Sequence, residues 1–209
     1  MSSKQQETFI RRDLTETQLS EEVEWLEENS HKPAFDRHGG LKVVEGYNPR
    51  KEGKQMKRYY LAYGSNLNVT QMRFRCPTAR VVGTAVIEDY ELLFKGSKSG
   101  SYLTIEPKEG AKVPVAVWSV EEEDEAALDR YEGFPTFYYK KEMQIVVTGI
   151  KSKKERLRDA FVYIMHEDRP FGIPTWNYVQ TCITGYNTFK FDQSLLMNAI
   201  RKSRKELGI

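Results

Sequence analysis

The order in which two periodicities follow one another constrains this chain most. Beyond residue 56, apolar residues recur with period two in run after run, as half-buried strands require. Tyr59, Tyr60, Leu61 and Tyr63 open the series. Ala79 to Ile87 and Tyr90 to Lys95 follow, parted by a turn-like Glu88-Asp89. After the polar turn Gly96 to Gly100 come Tyr102 to Glu106, a second turn at Glu109-Gly110, and Val113, Val115 and Val117 alternating with Pro114, Ala116 and Trp118. One helix interrupts. Ser119 and Glu122 have capping-box spacing, and a glycine at Gly133 closes the stretch. Tyr138 to Thr148 and Asp159 to Met165 are further strands, joined by a basic loop, Lys151 to Arg158. The tail is helical. Pro174 suits a helix start, Gly185 an end, and Asp192 caps a last helix whose Leu195, Leu196, Ala199 and Ile200 face inward. Strands, a helix, strands, then helices, without βαβ alternation, predict an α+β fold: a small, curved or barrel-like sheet with flanking helices.

Residues 1 to 55 are different in kind. They are polar and charged, with Leu19, Val23 and Leu26 at helical spacing beside Trp25, which predicts one short amphipathic helix near 20 to 29. Turn-forming residues then run to Gly53. His31 and His38 lack partners at metal-ligand spacing and read as solvated loop histidines. The expected organisation is a polar extension over 1–55 and a domain over 56–209. The extension is open to folding back onto that domain, to binding a partner protein or to staying unattached.

Bulk charge narrows the partners. Lys and Arg number 32 against 30 Asp and Glu, a net charge of +2, which supports neither nucleic-acid binding nor attraction to an anionic membrane. Cys76 and Cys182 are the two cysteines, too few for a disulfide framework or a zinc site. No run is long and apolar enough to span a membrane, and the expectation is a cytoplasmic protein.

Two stretches carry chemistry. In Tyr63-Gly64-Ser65-Asn66-Leu67 a strand enters a glycine turn, with Ser65, Asn66 and Asn68 as candidate caps for a helix over Val69 to Arg75. Such a junction aims backbone N–H groups at one point and suits an anion or a developing oxyanion. The second stretch runs from Leu128 to Pro135, with Tyr138-Tyr139 just after. Glu132 sits where the helix yields to a Gly-x-Pro turn, flanked by Tyr131 and Phe134. Aromatic neighbours there would desolvate the carboxylate and lift its pKa toward the range useful for proton transfer. Ser65 as the nucleophile of an amidase or acyltransferase is a competing reading. It needs a base within reach, and His166 is the sole histidine inside the domain.

Tyr-Gly-Ser-Asn-Leu after a short strand, then Leu-Asp-x-x-Glu-Gly-x-Pro, the run Tyr138-Tyr139-Lys140-Lys141 and a closing Pro174-Thr175-Trp176-Asn177-Tyr178 together resemble the γ-glutamylcyclotransferase (AIG2-like) family. The resemblance covers about residues 57 to 205. It implies a small mixed β-barrel with flanking helices and an intramolecular acyl transfer on a small γ-glutamyl substrate. That reaction releases 5-oxoproline and an amine or amino acid, with no metal or cofactor. It implies Glu132 as general acid and base, and Tyr63, Gly64, Ser65, Asn66 and Leu67 as the substrate-holding loop. Tyr138, or its neighbour Tyr139, would line the pocket, and Tyr178 would act as wall or hydroxyl donor. The loops Gly96 to Gly100 and His166 to Ile173 would face the leaving group. A non-catalytic binding module on the same fold stays open beside the enzyme reading.

Overall fold

The computed structural model of the chain describes residues 57–97 and 100–209. The predicted helix near 20 to 29, the two loop histidines and the whole extension over 1–55 lie outside the described residues. Five strands close into a barrel in the order β1-β3-β2-β4-β5. They are β1 (Arg58–Ala62), β2 (Arg80–Ser97), β3 (Gly100–Val120), β4 (Tyr138–Gly149) and β5 (Glu155–Met165). β1 runs parallel to β5, with Tyr60 opposite Phe161, and antiparallel to β3. The remaining neighbours are antiparallel. Among the described residues four helices flank the barrel: α1 (Val69–Arg75), α2 (Glu122–Glu132), α3 (Trp176–Thr188) and α4 (Ser194–Glu206). The α+β barrel expected from the sequence is the architecture observed.

The turn signals inside the early strands mark bends, not strand ends. The runs on either side of Glu88-Asp89 form one strand, as do those on either side of Glu109-Gly110. Asp89 and Gly110 adopt left-handed backbone, at φ 59° and 75°. The Gly110 amide donates to Asp89 Oδ1 at 2.8 Å. Here the ladder passes from Glu88↔Lys112 to Tyr90↔Pro107, so β3 carries the extra residues. Bulges of this kind kink a strand and increase its twist, which lets one long hairpin curl through two sides of the cylinder.

The cylinder closes on β2 and β4 through two residue pairs, Gly83↔Gly149 and Thr84↔Thr148. Gly83 permits the approach. A Cβ there would lie 2.6 Å from Val147 Cγ1 and 3.0 Å from the Thr148 carbonyl carbon. Leu61, Ile105, Val115, Val117, Phe161 and Val162 are fully buried. Each contributes about 1.5–3 kcal/mol of burial. Ala116 between the valines is buried too, so both faces of β3 are covered here, unlike an open sheet with one face to water.

The helix ends depart from the predicted caps. α2 is capped at Glu121, whose amide donates to Asp124 Oδ2 at 3.3 Å, while Ser119 stays in the β3 ladder opposite Tyr59. Asp124 is buried and also takes the Thr78 hydroxyl at 2.5 Å, so a tertiary partner sets this cap. Thr175, directly after Pro174, caps α3. Gly185 does not end α3; the helix continues to Thr188. At α4 the Asp192 carboxylate accepts from the Ser194 amide at 2.8 Å. Leu196 and Ala199 are buried, Leu195 and Ile200 pack beside them, and the Ser203 hydroxyl donates to the Phe94 carbonyl at 3.1 Å. Among the described residues no helix is long and apolar enough to cross a membrane.

Candidate active site

β1 delivers the chain to the turn through buried Tyr60, Leu61 and Ala62, and Tyr63 follows with its hydroxyl donating to the Tyr163 carbonyl at 2.7 Å. Ser65–Leu67 form a single 3-10 turn. The Leu67 and Asn68 amides are satisfied within it, by the carbonyls of Gly64 and Ser65 at 3.0 Å. The Asn68 side chain then accepts from the Gln71 amide at 3.1 Å and starts α1. Of the three candidate caps, Asn68 does the capping. Ser65 and Asn66 are left to face a pocket.

α2 brings the carboxylate. Its last residue is Glu132, and Gly133 at φ 65° ends it in left-handed backbone, where the Phe134 amide returns to the Asp129 carbonyl at 3.0 Å. A side chain other than glycine is strained at that φ, so Gly133 fixes where the helix stops.

Glu132 and the turn line one pocket. Gly64, Ser65, Asn66 and Glu132 form one side of it. Tyr60, Tyr63, Tyr138, Tyr163 and Tyr178 with Leu103 form the rest. Asn66 joins the two halves. Its Nδ2 donates to Glu132 Oε1 and to the Tyr60 hydroxyl, both at 2.8 Å, and its Oδ1 accepts from Arg75. Tyr138 donates to the Leu103 carbonyl at 2.8 Å, and the Leu103 amide donates to the Tyr178 hydroxyl at 3.1 Å. One strand residue thus fixes two wall tyrosines.

Burial pushes the Glu132 carboxyl up to about 7, against the opposing pull of the Arg75 charge and the Asn66 hydrogen bond. The desolvation has another source than the aromatic neighbours in sequence. Tyr131 and Phe134 are 48% and 39% exposed and hold cations instead: Arg75 over the Tyr131 ring, Lys140 over Phe134. Tyrosines from β1, β4, β5 and α3 do the burying. Burial also raises the phenols of Tyr60, Tyr63, Tyr138 and Tyr178 well above their ordinary value, so they stay neutral hydroxyls. A carboxyl poised near neutrality in a neutral, hydroxyl-lined pocket can take a proton and return it.

The other sequence candidates sort as follows. Leu67 does not line the pocket. It is fully buried and packs against Gly185 of α3, so it supports the turn from below. Tyr139, the alternative to Tyr138, points away and donates to Glu167 Oε1 at 2.6 Å. Ser65 Oγ lies 3.2 Å from the Tyr131 hydroxyl, whereas His166 Nε2 pairs with the Pro135 carbonyl. Among the described residues the serine therefore has no imidazole beside it. The expected leaving-group loop is held to the hairpin: the Gly96 amide donates to the Pro170 carbonyl at 3.0 Å and the Gly172 amide to the Phe94 carbonyl at 3.2 Å.

Tyr60, Leu103 and Tyr163 escape the sequence reading. Every residue of Tyr60–Ala62 and of Ala160–Met165 is buried, which erases the alternation that would tell inward from outward. The sequence offers Asn66 as a candidate helix cap; its bond to Glu132 depends on tertiary placement. Among the described residues no group of three or more His, Cys, Asp or Glu side chains is placed to hold a metal ion.

Comparison with known proteins agrees with the fold. A sequence profile described as gamma-glutamyl cyclotransferase, AIG2-like, matches residues 60–180. No curated protein sequence matches the chain. Among solved structures, an uncharacterised protein from Homo sapiens superposes with a TM-score of 0.56 at 23% identity, over 73% of this chain and 88% of that one. A structure titled gamma-glutamyl cyclotransferase gives 0.55 at 23% identity, over 74% and 88%. YkqA from Bacillus subtilis gives 0.57 at 15% identity, over 71% of this chain and 54% of that one. These likenesses concern the fold; the profile spans more than half of the sequence and includes both the glycine turn and Glu132. The chain belongs to the gamma-glutamyl cyclotransferase, AIG2-like family.

Proposed function

We propose that this protein cyclises the γ-glutamyl group of a small molecule to 5-oxoproline, with Glu132 as general base and then general acid. The observation that carries this reading is the Asn66–Glu132 hydrogen bond. It sets the Glu132 carboxyl beside the glycine turn, which supports reading the one as proton carrier and the other as acyl holder.

The chemistry follows from charge and geometry. A γ-glutamyl substrate carries an α-ammonium that must lose a proton before its nitrogen can attack. Glu132, as carboxylate, accepts that proton. The nitrogen then bonds to the γ-carbonyl carbon, closing a five-membered ring and forming a tetrahedral oxyanion. Collapse breaks the bond to the leaving nitrogen, which takes a proton from Glu132. Overall the α-nitrogen gives up two protons and the leaving nitrogen gains two; one carboxyl alternating between its forms carries them in turn. Ring closure has a high effective concentration when the chain is held folded, and the tyrosine walls supply that confinement.

The turn supplies the anion cradle in a narrower form than the sequence suggested. With Leu67 and Asn68 amides already bonded, the amides of Gly64, Ser65 and Asn66 are those left for substrate carboxylate or oxyanion. One such donor is worth about 3 kcal/mol in the transition state. Tyr138 and Tyr178 act as walls whose hydroxyls are held by Leu103, and the pocket takes the glutamyl part.

The test is a panel of γ-glutamyl amino acids, amines and peptides assayed for 5-oxoproline. We expect release from at least one compound, and its loss in a folded Glu132→Gln variant. A panel without product, or a fully active Glu132→Gln, overturns the proposal and leaves the binding-module reading.

A further inference from the structure

We infer that Arg75 is a positioning residue, which locks the Asn66 amide in the single orientation that serves a deprotonated Glu132. Its part in turnover rests on the function proposed above; the lock itself does not.

Arg75 is the last residue of α1 and does not line the pocket. It reaches the site from behind. One guanidinium nitrogen donates to Asn66 Oδ1, and the guanidinium plane lies over the Tyr131 ring, 3.3 Å from its centroid. Tyr131 in turn approaches Ser65 Oγ. The stack holds Arg75 between α2 and the turn.

An asparagine amide has two ends of nearly equal shape but opposite hydrogen-bonding character. Packing cannot tell them apart; a partner that only donates can. Arginine only donates. Because Arg75 takes the oxygen, both amide hydrogens must face the other way, where they meet Tyr60 Oη and Glu132 Oε1. With the amide turned over, its oxygen would face Glu132 Oε1. Two acceptors would then meet, and only a protonated carboxyl could bond there. The orientation of Asn66 and the charge of Glu132 are therefore one choice, and Arg75 makes it.

Every element packed around Glu132 enters that balance. β1 and the turn present Tyr60, Tyr63, Ser65 and Asn66; β4, β5 and α3 present Tyr138, Tyr163 and Tyr178. All are neutral. The charged cluster of Lys140, Glu125 and Asp129 sits behind Tyr163, whose hydroxyl donates to Asp129 Oδ1 at 2.5 Å. Arg75 is the cation that acts on the carboxyl, both through its charge and through the amide.

The experiment compares wild type, Arg75→Met and Arg75→Lys, each as the full chain. Glu132 is titrated by NMR of side-chain ¹³C-labelled glutamate, with Glu132→Gln used to assign its signal. The pH profile of kcat/KM for 5-oxoproline release is measured alongside. Arg75→Met is expected to raise the Glu132 midpoint by about half a pH unit or more, a threefold change in its ionisation constant. The acid limb of kcat/KM should move by the same amount, and kcat should fall about tenfold with KM little changed. Arg75→Lys keeps the charge without the planar fork and should restore part of the midpoint. Should Arg75→Met fail to fold, an intermediate midpoint in Arg75→Lys supports the proposal and a wild-type midpoint overturns it. A folded Arg75→Met with an unmoved midpoint also overturns it. Lack of turnover in the wild type would defeat the proposed function, while the NMR titration would still judge Arg75.

Discussion

Gly185 in the middle of α3 presses directly on Leu67. A Cβ on Gly185 would overlap the Leu67 side chain and come within 2.9 Å of its carbonyl carbon. The helix and the substrate turn are therefore in backbone contact. Gly185→Ala should destabilise the protein by about 1–3 kcal/mol, since the clash is with backbone that has little room to yield. The folded fraction should lose kcat/KM as well, because the turn must shift. Chemical denaturation and a 5-oxoproline assay on the same preparation check both effects. Unaltered kinetics would separate the turn from the helix.

The raised pKa of Glu132 bears on stability. Unfolded, this carboxyl titrates at its ordinary value, 4.5; folded, at about 7. Between those values the native state binds the proton that the unfolded state has lost, so stability falls as pH rises through this window and levels off above it. The span corresponds to about 3 kcal/mol. Glu132→Gln removes the penalty. The variant should melt above wild type at pH 8 and close to it at pH 4.5, although it is inactive. Calorimetry at the two pH values would detect this, and equal differences at both would contradict it.

The same group sets the acid side of the activity. Glu132 must be ionised to take the α-ammonium proton, so kcat/KM should rise with pH and bend near pH 7. A bend near 4.5 would mean that the carboxyl is not held dry when the enzyme works. Stopped 5-oxoproline assays between pH 5 and pH 9 suffice.

Ser65 separates acyl transfer within the substrate from acyl transfer to the enzyme. Its hydroxyl partner is Tyr131, and the residue lines the pocket beside Asn66. Ser65→Ala should keep activity within about tenfold of wild type, since one neutral hydrogen bond is worth about 1 kcal/mol. Mass spectrometry during turnover should find no covalent adduct. A loss of several orders of magnitude, with an acyl adduct on the wild type, would make Ser65 the nucleophile.

How far the sequence could be read depended on how each residue is exposed. The strand-rich order and helical tail were legible because their runs alternate or repeat at 3.6 residues. The helix end at Glu132 was legible because Gly133 is followed by Phe134-Pro135, whereas Gly185, with no proline after it, lies inside its helix. Asp89 and Gly110 misled, because a bulge and a turn both use left-handed backbone and only pairing partners distinguish them. Tyr60 and Tyr163 were silent because strands buried on both faces lose their alternation. Arg75 was silent too: a basic residue in the last turn of a short helix reads as complementing the helix dipole. Its acceptor on Asn66 is a tertiary fact.

Two joints of the cylinder are only two residue pairs long, β2 to β4 at Gly149 and β1 to β5 at Tyr60, and of these the second includes a pocket residue. At Gly149 little hydrogen bonding holds the staves together, and transient parting there would turn the barrel into a curled sheet. Tyr138 sits at the other end of β4, paired with Met165 and bonded through its hydroxyl to Leu103. Breathing at that joint reaches the pocket only if the whole of β4 peels from β5. A parting at Gly149 is therefore one step removed from Glu132, whereas a parting of Tyr60 from Phe161 would open the pocket wall itself.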